Sequence, residues 1–303
     1  MSGSSIRGTS LPRLTQLPQD LTTLSPEDQQ AYWQSFYASL FRELRSIYAK
    51  IQAAVTEITK TTLYTTAGSG NHTWSAGSVG AFVTIIGAGG GAAGGGTNTS
   101  AKGGASAGMV LEVYYPRDGA TTTAYVVGAK GAGGTAADGG GGGQSSFGSL
   151  VALGGIGSIY ASAGTGSAGP TFPTLTGPAG GASGTTGGDG APATEISTHA
   201  SSGAAGGGGG TANSGGKGGT SCTGVPSAAV ATGNGTQGGG GNGGSGYNGP
   251  GGVGGNGPNG NGNAPPAGTY GAGGGGSGER TTGSLTGGDG SDGAVIVREV
   301  IEA

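Results

Sequence analysis

Residues able to do chemistry are scarce in this chain of 303 residues. Its two histidines, His72 and His199, lie in no metal-ligand pattern. Cys222 is the single cysteine, which excludes an intrachain disulfide framework. With no base motif placed for it, it reads as a small buried or loop thiol and not a nucleophile. Asp189 and Glu195 could pair for acid–base work, but nothing fixes the separation that such chemistry needs. Glycine motifs carry no weight here. With one residue in three glycine, G-x-G-x-x-G arises by chance at roughly 0.04 per position. A phosphate loop needs Lys followed by Ser or Thr, whereas Lys102, Lys130 and Lys217 are each followed by glycine. Sequons at Asn71, Asn98 and Asn234 are expected in a chain rich in Asn, Thr and Ser. The expectation is a protein without catalytic residues, metal or cofactor.

Composition says what must position anything else. Gly 80 and Pro 13 dominate, charged residues are 9% and aromatics 6%. A conventional side-chain core cannot run through the whole chain, yet charge is too sparse for a solvated disordered tail. A net charge of -3 leaves no basic face for nucleic acid. Apolar runs are too short to span a membrane, and the first thirty residues hold no apolar signal core.

The composition changes near Gly68. Residues 1–67 hold only Gly3 and Gly8, and the remaining 236 hold 78 glycines. The first region, 1–24, carries Pro12 and Pro18 and no helical period. It reads either as a free tail or as an extended peptide along a partner, with Leu11, Leu14, Leu17 and Leu21 entering pockets. The second, 25–61, reads as a long helix: Ser25 as N-cap, Pro26 at the first turn and Asp28 completing a capping box. Trp33, Tyr37, Leu40, Leu44, Ile47, Ile51, Ala54 and Ile58 recur at spacings of four and three, a heptad seam. Isoleucine at both seam positions predicts a trimeric coiled coil, and packing onto the chain's own glycine-rich body is the alternative.

The third region predicts a mainly β fold. Runs Ala81–Ile86, Met109–Tyr115, Thr121–Val127, Phe147–Leu153 and Ala294–Ile301 read as strands. In Met109–Tyr115, strict alternation would set Leu111, Val113 and Tyr115 against Val110, Glu112 and Tyr114. The β-rich part covers 66–153 and a closing strand lies in 287–303. Pairing of that last strand with the early ones would close a compact unit around the insertion at 154–286. Within the insertion, glycines 240, 243, 246, 249, 252 and 255 keep a period of three that then slips, which excludes collagen. A period of three is the repeat of the polyproline II conformation, and glycine on one face lets such rods approach closely. Flexible filler is the other reading, because ordering glycine costs the most backbone entropy.

Ordered signatures then carry a resemblance. Phe82-Val83-Thr84-Ile85-Ile86-Gly87-Ala88-Gly89-Gly90-Gly91, preceded by Trp74, is similar to the opening of glycine-rich domains in bacteriophage tail fibres and tail tips. Asp118-Gly119-Ala120-Thr121-Thr122-Thr123-Ala124-Tyr125-Val126-Val127-Gly128 and Gly142-Gly143-Gln144-Ser145-Ser146-Phe147-Gly148 resemble their second and third signatures. Gly287-Gly288-Asp289-Gly290-Ser291-Asp292-Gly293-Ala294-Val295-Ile296-Val297 resembles their close. The resemblance runs from Thr66 to the C terminus, and the leader and helix match nothing in it. It implies a virion protein at the tail or baseplate periphery, with polyglycine II-like rods whose turns meet the receptor. On that reading Arg7, Leu11, Arg13, Leu14 and Leu17 dock on other virion proteins and the chain forms a homotrimer. Tyr160, Phe172, Tyr247 and Tyr270 are then candidates to bind a host glycan or outer-membrane protein, unless they fill gaps between rods. A purely structural baseplate or head-fibre component is the alternative function.

Overall fold

Ten strands form among the described residues, the four longest from runs rich in β-branched and aromatic residues. The ten are β1 (Ile58–Tyr64), β2 (Gly68–Thr73), β3 (Ser78–Ile86), β4 (Met109–Pro116), β5 (Thr122–Val127), β6 (Ser145–Phe147), β7 (Leu150–Ala152), β8 (Glu195–Ser197), β9 (Ala200–Ser201) and β10 (Ala294–Ile301). The computed structural model describes residues 25–30, 33–34, 36–38, 40–42, 44–45, 58–95, 101–158, 186–193, 195–197, 200–201, 206–207, 209–210, 213–221, 223, 226, 228, 232, 238–257, 259–279 and 283–302. By its contacts the chain divides into two units, Met1–Ile58 and Thr59–Ala303.

In the larger unit the strands form two sheets, ordered β1-β10-β3-β4-β9-β8 and β2-β5-β6-β7. The terminal strand does pair with the early ones: β10 lies antiparallel to β3, with Ala294 opposite Ile86 and Val297 opposite Val83. Both sheets contribute to one core of Trp74, Ala81, Val83, Ile85, Val110, Val127, Phe147, Ala152, Val295 and Val297. Phe147 is fully buried and meets Tyr115 and His72 edge-on at centroid distances of 5.2 and 5.7 Å.

Two strand expectations need correction. Val110 and Val113 both join this core, so strict alternation in β4 fails. A β-bulge intervenes: Glu112 has φ 54, its amide donates to Thr84 Oγ1 at 3.2 Å, and the register to β3 slips there. Likewise Phe147–Leu153 is not one strand. Gly148, at φ 54, turns the chain between β6 and β7, which pair as a hairpin.

The glycine-rich runs continue directly from the strands. Gly87 follows β3, Gly128 follows β5 and Leu153 follows β7, while Gly108, Gln144 and Gly293 lead into β4, β6 and β10. The sandwich therefore fixes the lateral positions of at least six rods. Their hydrogen bonds repeat every third residue, because with three residues per turn the N–H groups point in three directions in rotation. Along 87–95, the amides of Ala88, Gly91 and Gly94 donate to Gly143, Gly140 and Ala137. Those of Gly89 and Ala92 donate to Ser291 and Gly288, and those of Gly87 and Gly90 to Gly108 and Ala105. Carbonyls of the same rod accept from Gly131 and Gly134, from Gly155 and Ser158, and from Gly274. One rod thus binds six neighbours through its backbone alone.

Such closeness requires glycine. A Cβ on Gly89 would overlap the carbonyl oxygen of Ala272. Where the lattice lacks a carbonyl, a serine hydroxyl takes its place: Ser145 accepts from Gly128 N–H at 3.0 Å and Ser291 from Ala272 N–H at 2.7 Å. The described parts of 154–286 accordingly include backbone-bonded rods and are not filler.

The expected long helix and trimeric coiled coil are overturned. The protein is mainly β, and helical residues occur only within 26–45 among those described. The start is as expected, with Asp28 N–H donating to Ser25 Oγ at 3.2 Å and Ser25 Oγ–H donating to Asp28 Oδ2 at 2.7 Å. A helix to residue 61 is impossible, because Ile58–Tyr64 is β1. Its sequence, ITKTTLY, is rich in β-branched residues, which favour the pleated backbone, and β10 offers it a sheet partner. Ile58, expected as the last seam position, therefore opens a strand.

Candidate functional site

Polar chemistry is concentrated in two places, one buried and one exposed. The buried one crosses the sandwich. His72 on β2 and Glu299 on β10 are 1% and 0% exposed, and His72 Nε2 lies 3.5 Å from Glu299 Oε1. Tyr64 Oη and His72 Nδ1 are 2.9 Å apart. With the tyrosine hydroxyl donating, the ring proton sits on Nε2 and faces the carboxylate, an atom with no hydrogen bond of its own. Glu299 accepts from the Ser75 amide at 2.8 Å and the Ser75 hydroxyl at 3.2 Å, and Lys60 Nζ stands 3.6 Å away.

Burial pushes the His72 pKa below its ordinary 6.5, against the pull of the Glu299 carboxylate and with the help of Lys60. For Glu299 burial acts upward, but the Ser75 hydrogen bonds, His72 and Lys60 together hold its carboxyl below 4.5. His72 and Glu299 are closed to solvent, His72 packed by Trp74 and Phe147, while the Lys60 side chain is half exposed. The cluster fastens the first strands to the last. No sequence signal paired these residues, since His72 and Glu299 are brought together only by the sheet order.

The exposed place is the end of the rods away from the sheets. The bonds from Gly94 to Ala137, Leu285 to Gly95, Ala101 to Ser277, Gly278 to Gly260, Glu279 to Gly238 and Gly239 to Asn213 bring these turns to one end. Thr135, Asp138, Asn213, Thr232, Asn256 and Asn259 are exposed there. Ala136 (φ 47) and Asn259 (φ 71) hold left-handed conformations, which cost an alanine about 1–2 kcal/mol. Asn256 Oδ1 accepts from the Thr232 amide at 2.9 Å, which fixes one turn on another. The result is a platform of hydroxyl, amide and carboxyl groups on a stiff backbone, suited to hydrogen-bonding a polyhydroxyl ligand. Asp-Gly and Asn-Gly pairs were the available signal for these turns.

A groove of ≈ 530 Å³ on the flank of the rods is walled by Pro192 and Pro226 with Asp189, Lys217 and Thr220. Its carboxylate is already engaged, Asp189 Oδ1 accepting from the Lys217 amide at 2.7 Å. Among the described residues no group of three or more His, Cys, Asp or Glu could hold a metal ion. No helix among them is long and apolar enough to cross a membrane.

Of the aromatic candidates, Tyr247 and Tyr270 come together at the sheet end, packed on the buried trio Ile86, Met109 and Ala294. The Tyr247 amide donates to the Tyr270 carbonyl at 3.0 Å. Tyr160 and Phe172 lie outside the described residues, as do Arg7, Leu11, Arg13, Leu14 and Leu17. So do Ile47, Ile51 and Ala54 of the expected seam, while Trp33, Tyr37 and Leu44 are exposed by 37%, 51% and 50% and Leu40 is half-buried.

No curated protein matches the sequence. A family model described as a glycine-rich domain matches residues 65–299. That span opens just before β2 and closes on Glu299, so it takes in the sandwich core and every rod described above. The chain belongs to the glycine-rich domain family.

Proposed function

We propose that the protein is a bacteriophage fibre or tail-tip component that presents its glycine-rich body to a receptor on the host surface. The observation that carries this reading is the distribution of side chains. The rods touch through glycine and bury mostly small side chains such as Ala88, Ala105 and Ser106, while Thr135, Asp138, Asn213, Asn256 and Asn259 are exposed on the turns at their far end. A scaffold of that kind separates support from recognition, and its turns can vary without disturbing the rods. The ligand class is a host glycan or the outer loops of an outer-membrane protein, bound through Thr135, Asp138, Asn213, Asn256 and Asn259. The leader, with Arg7, Leu11, Arg13, Leu14 and Leu17, docks on neighbouring tail or baseplate proteins, and the site of action is the virion periphery. Assembly as a homotrimer belongs to the same reading. The exposed Trp33, Tyr37, Phe41 and Leu44 supply apolar surface for it without a continuous coiled coil.

The test is direct binding of purified full chain to host cells, with isolated surface polysaccharide as competitor. Binding that is competed, and weakened about tenfold or more by joint replacement of Asp138 and Asn259 with Ala, supports the reading. No binding to any host that the source virion infects sinks it. One observation favours a purely structural component: Tyr247 and Tyr270, two of the aromatics best suited to recognition, are packed against the sandwich. Immunogold labelling of virions separates the two, because a receptor-binding body is exposed at the tail tip and a plug is covered.

A further inference from the structure

A lattice whose rods bind through the backbone has no intrinsic boundary. Each outermost rod still directs a row of N–H groups outward, and an extended segment of another copy could satisfy them as an internal rod does. Sheets meet the same hazard at their edge strands, where charge and steric blocks prevent further pairing. We infer that Asp289, Asp292 and Asp189 end the lattice: their carboxylates occupy the place of the next rod.

The geometry repeats on two edges. Rod 128–134 is bonded to rod 285–293 through Gly287 to Gly134, Gly290 to Gly131 and Gly293 to Gly128. A second row of amides on rod 128–134, at Lys130 and Gly133, has no carbonyl opposite it among the described residues. Asp292 Oδ1 accepts from Lys130 N–H and Asp289 Oδ1 from Gly133 N–H, each at 2.9 Å. Both pairs are three residues apart, the rod repeat, so two side chains from the adjoining rod close two successive turns. Lys130 Nζ then folds onto Asp289 Oδ2 at 2.9 Å, and both side chains remain 41–50% exposed. On the other edge, Gly187, Gly190 and Ala193 bond to Ser214, Lys217 and Thr220. There Asp189 Oδ1 accepts from Lys217 N–H at 2.7 Å. Each edge thus pairs a lysine in the receiving rod with an aspartate reaching over from its neighbour.

The scarcity of charge strengthens the assignment. Between Gly131 and Gly278 the chain carries only Asp138, Asp189, Glu195 and Lys217. Two of these four form one cap. Amide oxygens do similar service elsewhere, Asn261 Oδ1 accepting from Thr286 N–H at 3.1 Å. Steric blocks stand beside the caps: Ala129 and Ala132, exposed on the same rod, place a methyl where a packed rod would need glycine. This assignment does not depend on the proposed receptor role.

Removing the acceptor while keeping the fold should release the edge. The full chain carrying D289A and D292A is compared with D289N and D292N, whose side-chain oxygens still accept while the charge is gone. Mass is followed by sedimentation velocity across a hundredfold range of concentration, with circular dichroism confirming folding. The expected result is concentration-dependent association of the alanine form to at least twice the native mass, and native behaviour of the asparagine form. Equal masses for all three overturn the proposal. Association of both variants overturns it too, because charge repulsion would then be the boundary. If the double alanine form does not fold, D189A against D189N on the opposite edge is read by the same criteria.

Discussion

Glu299 shows how much one buried carboxylate can organise between two sheets. It draws on Ser75, Lys60 and His72 at once and joins both sheets. The pH dependence that follows has a definite sign. His72 has a lowered pKa in the fold, so in acid the unfolded chain binds its proton first. Its contribution is complete above about 6.5 and is lost as pH falls through its folded value. Glu299 is also lowered, so its contribution is complete above 4.5 and is lost below that in the same way. The melting temperature of the full chain should therefore fall in two steps on acidification. Calorimetry of His72→Gln should show the first step gone and the second kept, with Glu299→Gln showing loss of the second. Phe147 carries the apolar counterpart at this scale. Its replacement by Ala should cost about 3–5 kcal/mol, read as a shift in urea midpoint at unchanged slope.

For the rods, the element scale separates two kinds of glycine. Gly89 sits where an added methyl meets a carbonyl of the neighbouring rod, whereas the nearest atom to a methyl on Gly141 would be Gly155 O at 3.8 Å. Gly89→Ala should therefore destabilise by about 3 kcal/mol or more, as overpacking against rigid backbone does. Gly141→Ala should be neutral or slightly stabilising through the unfolded chain. Parallel thermal melts decide between them. The result matters beyond stability, because filler would respond alike at both positions and a lattice cannot. Glu112 is an element-scale feature as well. Its left-handed backbone bends β4 and lets its carboxylate reach Arg298 on β10 across the intervening β3.

At the scale of the whole molecule, the central pairing joins residues more than two hundred apart, Ala294 with Ile86. The last strand is flanked by β1 and β3, and the preceding segment 285–293 bonds to rods on several sides. Truncation after Gly293 should thus abolish cooperative unfolding rather than trim an edge, which a loss of the calorimetric peak would establish. Refolding should also be slow, seconds or longer, because the loop closed by β10 precedes most of the stabilising contacts. Stopped-flow fluorescence of Trp74 gives the rate.

How much of this the amino-acid order dictates depends on the range of the interaction. Local chemistry was legible: the Ser25–Asp28 cap, the strands at Met109 and Ala294, and the three-residue glycine period all follow from short-range sterics. The seam through Ile58 misled because heptad spacing records only which residues share a helical face. It does not weigh the strand partner that β10 offers to Ile58–Tyr64. The inter-sheet cluster, the bulge at Glu112 and the caps at Asp289 and Asp292 were not legible either. Each depends on which segment becomes a neighbour. Glycine repeats cannot specify that choice by themselves, since every rod offers the same donors and acceptors. For the six rods that continue from strands the sandwich decides it, by fixing where they begin.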